Sequence, residues 1–434
     1  MKRIVFLHYR VGRTDGVSLQ IDAWCKILKR HGFSAKTCSG PLNIGADYVI
    51  DGLEHEFDPK VFKLNKAAFE GGMSEDDFNK EFDKRKQNLK IEFKKMLETL
   101  KPNVLWVSNM LSVGEHLPAA AALSEVINET GIRTIAIHHD FYWENKFYDK
   151  PAYPRVKKVL AECLLPKLPT VTHVCINSIA QKELLERRKI TSSVLPDTLD
   201  FSYLGNDRNG ACKRELGKTG IQKNDLIVVQ GTRIVRRKNI EIAIDFISNL
   251  QEKISKIGKK RVVLVMAGYA EKKDEWYRDL LVKYAKSKKV NVRLMPVISF
   301  KTNSEACGLY DVYRYADLIT YPSEYEGFGN QFLEAVRAKK PVVMFEYPVF
   351  IKDIKPQGFE IISLGSEVTH DSKSGLAKIE QSRISKAIEE AFEILTDIDR
   401  KKIVVERNFL LGKLNYGYDA CWQRLERLLD KMEN

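Results

Sequence analysis

The sequence has no long apolar run. No segment approaches the roughly 20 consecutive apolar residues of a membrane-spanning helix, and the N-terminus offers only Ile4 to Leu7, which is shorter than the apolar core of a signal peptide. The 434 residues include only 25 Gly and 14 Pro, which excludes collagen-like and low-complexity chains. We therefore expect a globular, cytoplasmic protein, with the inner face of the membrane as an alternative location.

Cysteine pairs with metal-binding or redox spacing are also missing. The seven cysteines are an odd number, are widely scattered and include no C-x-x-C motif. The sequence therefore predicts no metal site, and it predicts reduced, mostly structural cysteines.

Acidic residues are outnumbered by basic ones. The 71 Lys and Arg residues against 58 Asp and Glu residues give a net charge of +13. Such a balance favours anionic partners, among them phosphates, acidic lipids and nucleic acids. The sequence shows no helix-turn-helix, zinc-finger or aromatic RNA-binding motif, so a nucleic-acid-binding function depends on charge alone. We do not expect a nucleic-acid partner.

What the chain does contain is two series of short β-rich runs that alternate with helical patterns. The first series comprises Ile4 to His8, Asn103 to Ser108, Thr134 to His138, Val171 to Asn177 and Ser193 to Leu195. The second comprises Leu226 to Gln230, Val262 to Ala267, Val292 to Met295, Leu318 to Tyr321, Val342 to Phe345 and Phe359 to Ser363. Such alternation predicts mainly parallel sheets, and the polar, Gly-containing stretch 203–224 predicts a boundary between them. We expect an α/β fold with two Rossmann-like domains that face a central cleft.

A strongly charged helix is predicted from residue 75 to residue 100. Its apolar positions mark one face, formed by Phe78, Phe82, Leu89, Phe93, Met96 and Leu100. The basic residues of this helix are compatible with binding to a membrane surface. We favour the alternative, in which the apolar face packs on the helix's own domain.

The most informative stretch runs from Tyr321 to Ala335, with the sequence YPSEYEGFGNQFLEA. A strand ends at Tyr321, a Gly-containing turn follows, and a helix is predicted to begin near Asn330. Backbone N–H groups in the first turn of a helix lack intrahelical partners, so this terminus would attract a phosphate. Glu326 would lie beside the anion, and Glu334, about one turn into the helix, would be placed to bind hydroxyls. Taken singly, each glutamate also has a purely structural interpretation. Glu326 would be an acid near a helix N-terminus, and Glu334 would be a surface residue of the helix.

A second constellation lies between Val228 and Ala243, where a buried strand runs into a small-residue turn and a basic cluster. Arg233 and Lys238 could converge on a diphosphate, the Arg as a planar fork of donors and the Lys as a compact charge. Such a pair neutralises a leaving group that becomes more negative as its bond breaks. A basic surface loop without a specific ligand is the alternative.

Together the two segments resemble the signature of the family 4 retaining glycosyltransferases, which have the two-domain GT-B fold. The string YPSEYEGFGNQFLEA followed by KPVV is similar to the Glu-x7-Glu motif of that family, and GTRIVRRKN is similar to its phosphate-binding G-R-x-x-x-x-K segment. The resemblance is specific over residues 225–345. It implies an acceptor-side domain of residues 1–205, a nucleotide-sugar-binding domain of residues 206–410, and a terminal helix, residues 411–434, that packs back on the first domain.

The resemblance also implies roles for the residues around the donor diphosphate. Arg233 and Lys238 would hold the diphosphate and act in catalysis. Backbone amides around Phe328, Gly329 and Asn330 would assist them.

The remaining donor contacts follow from the same resemblance. Glu334 would bind the nucleotide ribose, and Glu326 would act in catalysis by contacting hydroxyls of the transferred sugar. Met295, Pro296 and Val297 fall where such enzymes contact the base.

Two further residues are implied in the first domain. The loop from Gly12 to Ser18 is similar to the family's N-terminal Gly loop, within which Gly16 would approach the donor phosphate and the acceptor. His139, beside Asp140, is similar to the family's catalytic His that faces the transferred sugar, whereas His138 would point into the structure.

The resemblance implies transfer of a hexose, mannose or glucose, to a hydroxyl acceptor with retention of anomeric configuration and without a metal. GDP-mannose and UDP-glucose are the expected donors, and no cofactor is expected besides the donor substrate. The acceptor would be a glycan, a small glycoside or a lipid-linked saccharide, and the last would entail peripheral membrane contact. A sugar phosphorylase or a nucleotide-sugar epimerase of similar fold is an alternative, and a non-enzymatic nucleic-acid-binding protein is a more distant one.

Overall fold

The computed structural model describes residues 2–12, 15–41, 45–54, 58–202, 210–256, 261–295, 307–372 and 374–432. These residues form two compact units. One contains the chain up to Thr198 together with the segment from Cys421 onward, and the other is Leu199–Ala420. The domain boundary predicted between residues 205 and 206 lies outside the described residues.

The first unit is built on a parallel sheet. Its strands are β1 (Arg3–Leu7), β2 (Ser34–Ser39), β3 (Tyr48–Val49), β4 (Val104–Ser108), β5 (Thr134–His138), β6 (Val171–Cys175) and β7 (Ser193–Val194). Among the described residues the sheet order is β3-β2-β1-β4-β5-β6-β7, and every pairing is parallel. The strand order reverses between β1 and β4, which makes this place the topological switch point of the sheet.

Polar side chains fix where several helices of this unit begin. The helices are α1 (Gly16–Arg30), α2 (Pro59–Glu70), α3 (Glu75–Leu100), α4 (Leu117–Thr130), α5 (Pro154–Glu162) and α6 (Ser178–Arg188). Asp15, Asp58, Ser74 and Asn177 each accept a hydrogen bond from a backbone N–H in the first turn of α1, α2, α3 and α6, respectively. These caps satisfy N–H groups that would otherwise lack partners.

The charged helix predicted from residue 75 to residue 100 is confirmed as α3. All six of its predicted apolar residues are buried. On its polar side, the ammonium groups of Lys86 and Lys90 lie 2.7 and 3.1 Å from the carboxylate of Glu125 on α4. The preferred interpretation is therefore confirmed, since α3 packs within its own unit.

The second unit repeats the architecture of the first. Its parallel strands are β8 (Leu226–Gln230), β9 (Val262–Met266), β10 (Asn291–Leu294), β11 (Leu318–Tyr321), β12 (Val342–Met344) and β13 (Ile362–Ser363), and a separate antiparallel pair is formed by β14 (Thr369–His370) and β15 (Ala377–Lys378). In the part of the chain that the structure describes, the parallel order is β10-β9-β8-β11-β12-β13. The strand order therefore reverses between β8 and β11, as it does at the centre of a Rossmann sheet.

The remaining helices follow the second series of strands. They are α7 (Ala211–Lys218), α8 (Ile240–Lys256), α9 (Glu275–Ser287), α10 (Leu309–Tyr315), α11 (Asn330–Arg337), α12 (Gln381–Thr396), α13 (Ile398–Tyr416) and α14 (Tyr418–Lys431). Short 3₁₀ turns occur at Tyr142–Glu144, Lys146–Asp149, Arg236–Lys238, Lys272–Asp274 and Lys355–Gln357, and a π turn occurs at Phe350–Ile354. From Cys421 onward α14 belongs to the first unit, where the Trp422 ring stacks on His31 with ring centroids 3.7 Å apart.

The expectation that every cysteine is reduced is wrong for two of them. Cys212 of α7 and Cys307, which lies two residues before α10, form a disulfide across a sequence separation of 95 residues. No short spacing relates these two cysteines, so the sequence pattern gave no signal for the pair. The other five are free thiols.

Candidate functional site

The loops that follow β8 and β11 lie side by side in the second unit. These two strands pair in parallel, so their carboxyl ends share one edge of the sheet. The strand order reverses at this place, and ligands of open α/β sheets bind at such switch points. Lys238 comes from the first loop and Glu326 from the second, although 88 residues separate them.

Lys238 and Glu326 form a buried ion pair at this edge. The Lys238 ammonium donates to Glu326 Oε1, and the two side chains are only 8% and 10% exposed. The same ammonium lies 5.6 Å from the centre of the Tyr321 ring at the end of β11. The structure thus brings together one residue from each of the two sequence motifs.

Both members of the pair are ionised at neutral pH. Burial favours the neutral form of Glu326, but the charges of Lys238 and Arg237 outweigh burial and lower the pKa of Glu326 to about 2. Burial also lowers the pKa of Lys238, to about 8, against the opposing attraction of Glu326. A pKa of about 8 leaves Lys238 mostly protonated at pH 7.

Arg237 is a third member of this cluster, and sequence reasoning missed it. Its Nη1 donates to the Tyr325 carbonyl at 2.6 Å and to Glu326 Oε2 at 3.1 Å. Glu326 is therefore bonded to two cations. The sequence signal was weak, because Arg237 is one of three successive basic residues in a 3₁₀ turn. We call Lys238, Arg237 and Glu326 the charged triad.

Arg233 is placed differently from Lys238. Its guanidinium donates to Glu271 Oε1 at 3.0 Å, and its side chain is 48% exposed. The charge of Arg233 nevertheless acts on Lys238. Burial lowers the pKa of Lys238 most, the charge of Arg237 comes next, and the charge of Arg233 adds a smaller contribution, so Arg233 lies near the triad. A phosphate beside Lys238 would therefore compete with Glu271 for the Arg233 guanidinium.

The helix predicted to begin near Asn330 is confirmed, because α11 starts at that residue. Gly329 precedes the helix with a φ of +132°, a value that strongly favours glycine. The Tyr347 hydroxyl donates to the Phe328 carbonyl at 2.7 Å. This bond ties the turn between β11 and α11, which carries Glu326, to Tyr347 beyond β12.

We expect Gly329→Ala to destabilise the protein by roughly 3 kcal/mol, because it combines an unfavourable φ with overpacking. A Cβ on Gly329 would lie 2.0 Å from the Tyr347 hydroxyl oxygen. Gly72→Ala is the matched control, since Gly72 has a φ of +91° and open space at its Cβ position. Gly72→Ala should lower the free energy of unfolding by about 1 kcal/mol. Urea unfolding measures both variants, and equal losses would show that the Tyr347 contact does not constrain the turn.

Glu334 faces the interior from α11. Its side chain is buried, and the Tyr313 hydroxyl on α10 donates to Oε2 at 3.3 Å. Burial raises the pKa of Glu334 to about 7, although the charge of Arg337 and hydrogen bonds from Tyr310 and Tyr313 oppose the shift. The alternative of a surface helical residue is therefore wrong for Glu334, and the two tyrosines are contacts that the sequence did not reveal.

The raised pKa of Glu334 predicts a pH-dependent stability. The native state holds this proton more tightly than the unfolded chain, so the stabilisation is present below the ordinary pKa of 4.5 and is lost as the pH rises through about 7. The free energy of unfolding should fall by an amount on the order of 3 kcal/mol over this pH range. Glu334→Gln keeps the shape without the titration and should remove this part of the pH dependence. Thermal unfolding of both proteins over that pH range measures the difference, and parallel profiles would contradict the prediction.

The residues predicted to contact a base follow β10. Met295 is buried, and its backbone N–H donates to the Met266 carbonyl at 3.0 Å. Pro296 and Val297 lie outside the described residues. Met295 is therefore placed at the carboxyl edge of the same sheet as the triad.

Three polar residues lie near the switch point of the first unit. They are His8, Asn109 and His139, which follow β1, β4 and β5, respectively. Asn109 Oδ1 accepts a hydrogen bond from the His139 backbone N–H at 2.7 Å. His8 Nδ1 is bonded to a carbonyl of β4 at 2.9 Å. Gly16 is the first residue of α1, directly after the capping residue Asp15.

The His139 ring is buried and neutral. Within the described ranges, neither of its ring nitrogens has a hydrogen-bond partner, and Asp197 Oδ1 lies 3.9 Å from Nε2. Burial, followed by the charge of His8, lowers the pKa of His139 to about 3. A buried polar ring without hydrogen bonds is costly to the stability of the folded chain.

His138 points into the first unit, as expected. Its Nε2 is hydrogen-bonded to His173 Nδ1 at 2.9 Å, and His173 Nε2 is hydrogen-bonded to the Pro166 carbonyl at 3.0 Å. The carbonyl can only accept, so the neutral His173 donates from Nε2 and accepts from His138 at Nδ1. The His138 ring thus has a structural role.

Two features are absent from the described part of the chain. No group of three or more His, Cys, Asp or Glu residues is arranged to hold a metal ion. No helix there has the length and apolar character needed to cross a membrane.

The chain is similar in sequence to known proteins over nearly its whole length. Residues 213–359, which include the triad, match the family model described as glycosyl transferases group 1. A mannosylglucosylglycerate synthase of Petrotoga mobilis is 37% identical over 94% of this chain and 97% of its own. A protein of the same name from Thermotoga maritima is 36% identical over 99% of each chain.

Similarity to solved structures supports the fold. A glycosyltransferase from Rickettsia africae superimposes with a TM-score of 0.65, covering 100% of this chain and 99% of that one. Its sequence is 14% identical, so this similarity concerns the fold alone. The predicted α/β fold of GT-B type, with two Rossmann-like domains, is confirmed.

Proposed function

This chain belongs to the group 1 glycosyl transferases, and we propose that within this family it is a retaining mannosyltransferase that uses GDP-mannose. Two relatives of nearly full coverage are named mannosylglucosylglycerate synthase. That name describes a mannosyl group on a glucosylglycerate, so we propose a small glycoside with a carboxylate as the acceptor. This choice favours the small glycoside over a glycan or a lipid-linked saccharide.

The observation that carries this proposal is the charged triad beside the start of α11. A nucleoside diphosphate sugar presents a diphosphate, which cations and the N–H groups around Phe328, Gly329 and Asn330 would bind. It also presents sugar hydroxyls, which donate well to an ionised carboxylate. The cations beside Glu326 keep that carboxylate ionised before any donor arrives.

In the proposed reaction, the bond between C1 of mannose and the donor phosphate oxygen breaks. The acceptor oxygen bonds to C1 on the same face, and the acceptor proton passes to the departing phosphate oxygen. Lys238 and Arg233 stabilise the negative charge that grows on the diphosphate, without a metal ion. Glu326 holds the hydroxyls of the transferred sugar.

The other predicted residues complete the proposal. Glu334 binds the ribose, and Met295 and Val297 contact the base. His139 contacts the transferred sugar, and Gly16 approaches the donor phosphate and the acceptor. The first unit serves as the acceptor-side domain and the second unit as the nucleotide-sugar-binding domain.

We expect GDP-mannose to bind more tightly than UDP-glucose in calorimetry. Arg233→Ala and Glu334→Ala should each weaken GDP-mannose binding by about 10- to 100-fold, because each removes a charge-assisted hydrogen bond. Arg278→Ala is the matched control, since Arg278 lies on α9 in surface ion pairs with Glu275 and Asp279. It should leave binding unchanged. A folded sample that binds no nucleotide would contradict the proposal.

Product analysis separates the proposal from the other enzyme classes. Purified protein with GDP-mannose and glucosylglycerate should release GDP only when the acceptor is present. Sugar release that requires free phosphate would indicate a phosphorylase. Donor isomerisation without an acceptor would indicate an epimerase.

A further inference from the structure

We propose that a cavity in the first unit binds a phosphorylated small molecule at a site distinct from the triad and from His139. The cavity has a volume of about 850 Å³, which lies within the range of small-molecule sites. Most of its lining comes from three stretches of chain, within residues 142–151, 157–168 and 187–189. None of the described lining residues is among the predicted site residues.

Much of the cavity wall lies at the amino edge of the sheet. Residues 165–168 lead into β6, and residues 187–189 lie at the end of α6. In a parallel sheet with connecting helices, strand starts and helix ends share one edge, and residues that follow the strands lie at the other. His139 follows β5 and lies at the opposite edge, and the stretch 142–151, which also follows β5, runs on from there to the cavity.

The cavity carries a surplus of positive charge. Five cations line it, namely Lys157, Lys167, Arg187, Arg188 and Lys189, against the two carboxylates of Asp149 and Glu162. Because Glu183, outside the lining, pairs with Arg187 at 3.6 Å, the surplus amounts to two charges. Within the described ranges, Lys157, Lys167 and Lys189 make no ion pair. Their charges are therefore available to an anionic ligand.

The two arginines are held in place by the protein. Arg188 donates to backbone carbonyls at and just beyond the end of α5, with distances of 3.0, 2.6 and 2.9 Å. The Arg187 guanidinium lies 5.3 Å from the centre of the Trp143 ring. The same guanidinium lies 3.6 Å from the Glu183 carboxylate, which offsets its charge. These contacts fix both guanidinium groups before a ligand arrives, which lowers the ordering cost of binding.

The rest of the wall suits a compact polar ligand. Leu160, Leu165 and Tyr148 are buried and form an apolar part of the cavity wall, against which the carbon skeleton of a small ligand can pack. A phosphate monoester of sugar size provides about two negative charges on one group together with hydroxyls. A nucleic acid fits less well, because it needs a basic groove that follows its backbone rather than one compact basic cluster.

Calorimetry on the full chain tests this site with glucose 6-phosphate as the probe and glucose as the neutral control. We expect glucose 6-phosphate to bind and glucose not to bind at the same concentrations. The variant Lys157→Gln/Lys167→Gln/Lys189→Gln should bind glucose 6-phosphate about 30-fold more weakly, at roughly threefold per surface charge. Lys60→Gln/Lys63→Gln/Lys84→Gln changes the net charge of the same unit equally and should stay within about twofold of the wild type.

The double variant Lys238→Met/Glu326→Gln separates this site from the donor site. Glucose 6-phosphate should bind to it as to the wild type. Loss of binding in this variant would place the phosphate at the triad and overturn the proposal. Equal weakening in the two lysine variants, or no binding of glucose 6-phosphate to the folded wild type, would overturn it as well.

Discussion

Lys238→Met should lower kcat/KM for mannosyl transfer by about 10³-fold, because it removes the buried cation that we propose stabilises the departing diphosphate. It should also destabilise the protein by about 3 kcal/mol, because Glu326 loses one of its two cationic partners while it remains buried. Initial rates and urea unfolding measure the two effects separately.

A second substitution distinguishes chemistry from stability. Lys238→Met/Glu326→Gln removes both buried charges, so its stability should return to within about 1 kcal/mol of the wild type. Its activity should not return. Lys288→Met is the surface control, because Lys288 pairs with Asp245 at 2.9 Å with a side chain that is 42% exposed, and it should cost less than about 1 kcal/mol. An active double variant would show that Lys238 has only a structural role.

His139→Leu should lower kcat by about 10²-fold, the loss expected for a hydrogen bond made to the reacting sugar. The same substitution should leave the melting temperature unchanged or raise it. The buried ring is neutral, and among the described residues neither of its nitrogens has a partner, so leucine removes an unfavourable polar group. Steady-state kinetics and thermal unfolding measure both effects.

His138→Leu is the matched comparison, since His138 is the last residue of β5 and directly precedes His139. It leaves buried His173 without its hydrogen bond from His138, so it should destabilise the protein by roughly 1–3 kcal/mol. Its kcat should fall less than that of His139→Leu. If His139→Leu proved destabilising and fully active, His139 would be a packing residue.

Lys238 and Glu326 could be associated from sequence because of how Rossmann sheets are wound. Lys238 follows β8 and Glu326 follows β11, and both strands could be recognised from their apolar sequences. The strand order of the sheet reverses between these two strands. The loops of such strands meet whatever their separation along the chain. Strand β5, Thr134–His138, was likewise predicted with its observed bounds, which placed His139 at the end of its strand.

Side-chain partners chosen by tertiary packing could not be predicted in this way. Arg237 and Lys238 of the 3₁₀ turn both reach Glu326, whereas Arg236 of the same turn donates to the Gly375 carbonyl, and no local pattern distinguishes the three. Tyr310 and Tyr313 bond to Glu334 across the contact between α10 and α11, a proximity that no local pattern encodes. The same holds for the disulfide between Cys212 and Cys307.

Strand β2 was missed for a different reason. Its sequence, Ser34–Ser39, lacks the β-branched and aromatic enrichment typical of strands, with Thr37 as its sole β-branched residue. The strand is stabilised by its backbone pairing with β1 on one side and with β3 on the other, and not by the strand propensity of its own residues. A polar strand of this kind is recognised only once its neighbours are known.

Proton NMR of a reaction that contains GDP-mannose and glucosylglycerate would test the proposed function most directly. We predict a new mannosyl anomeric signal with the configuration of the donor, formed by the wild type and not by Lys238→Met/Glu326→Gln. A product of the opposite configuration, or an equal yield from the double variant, would contradict retaining transfer at the charged triad.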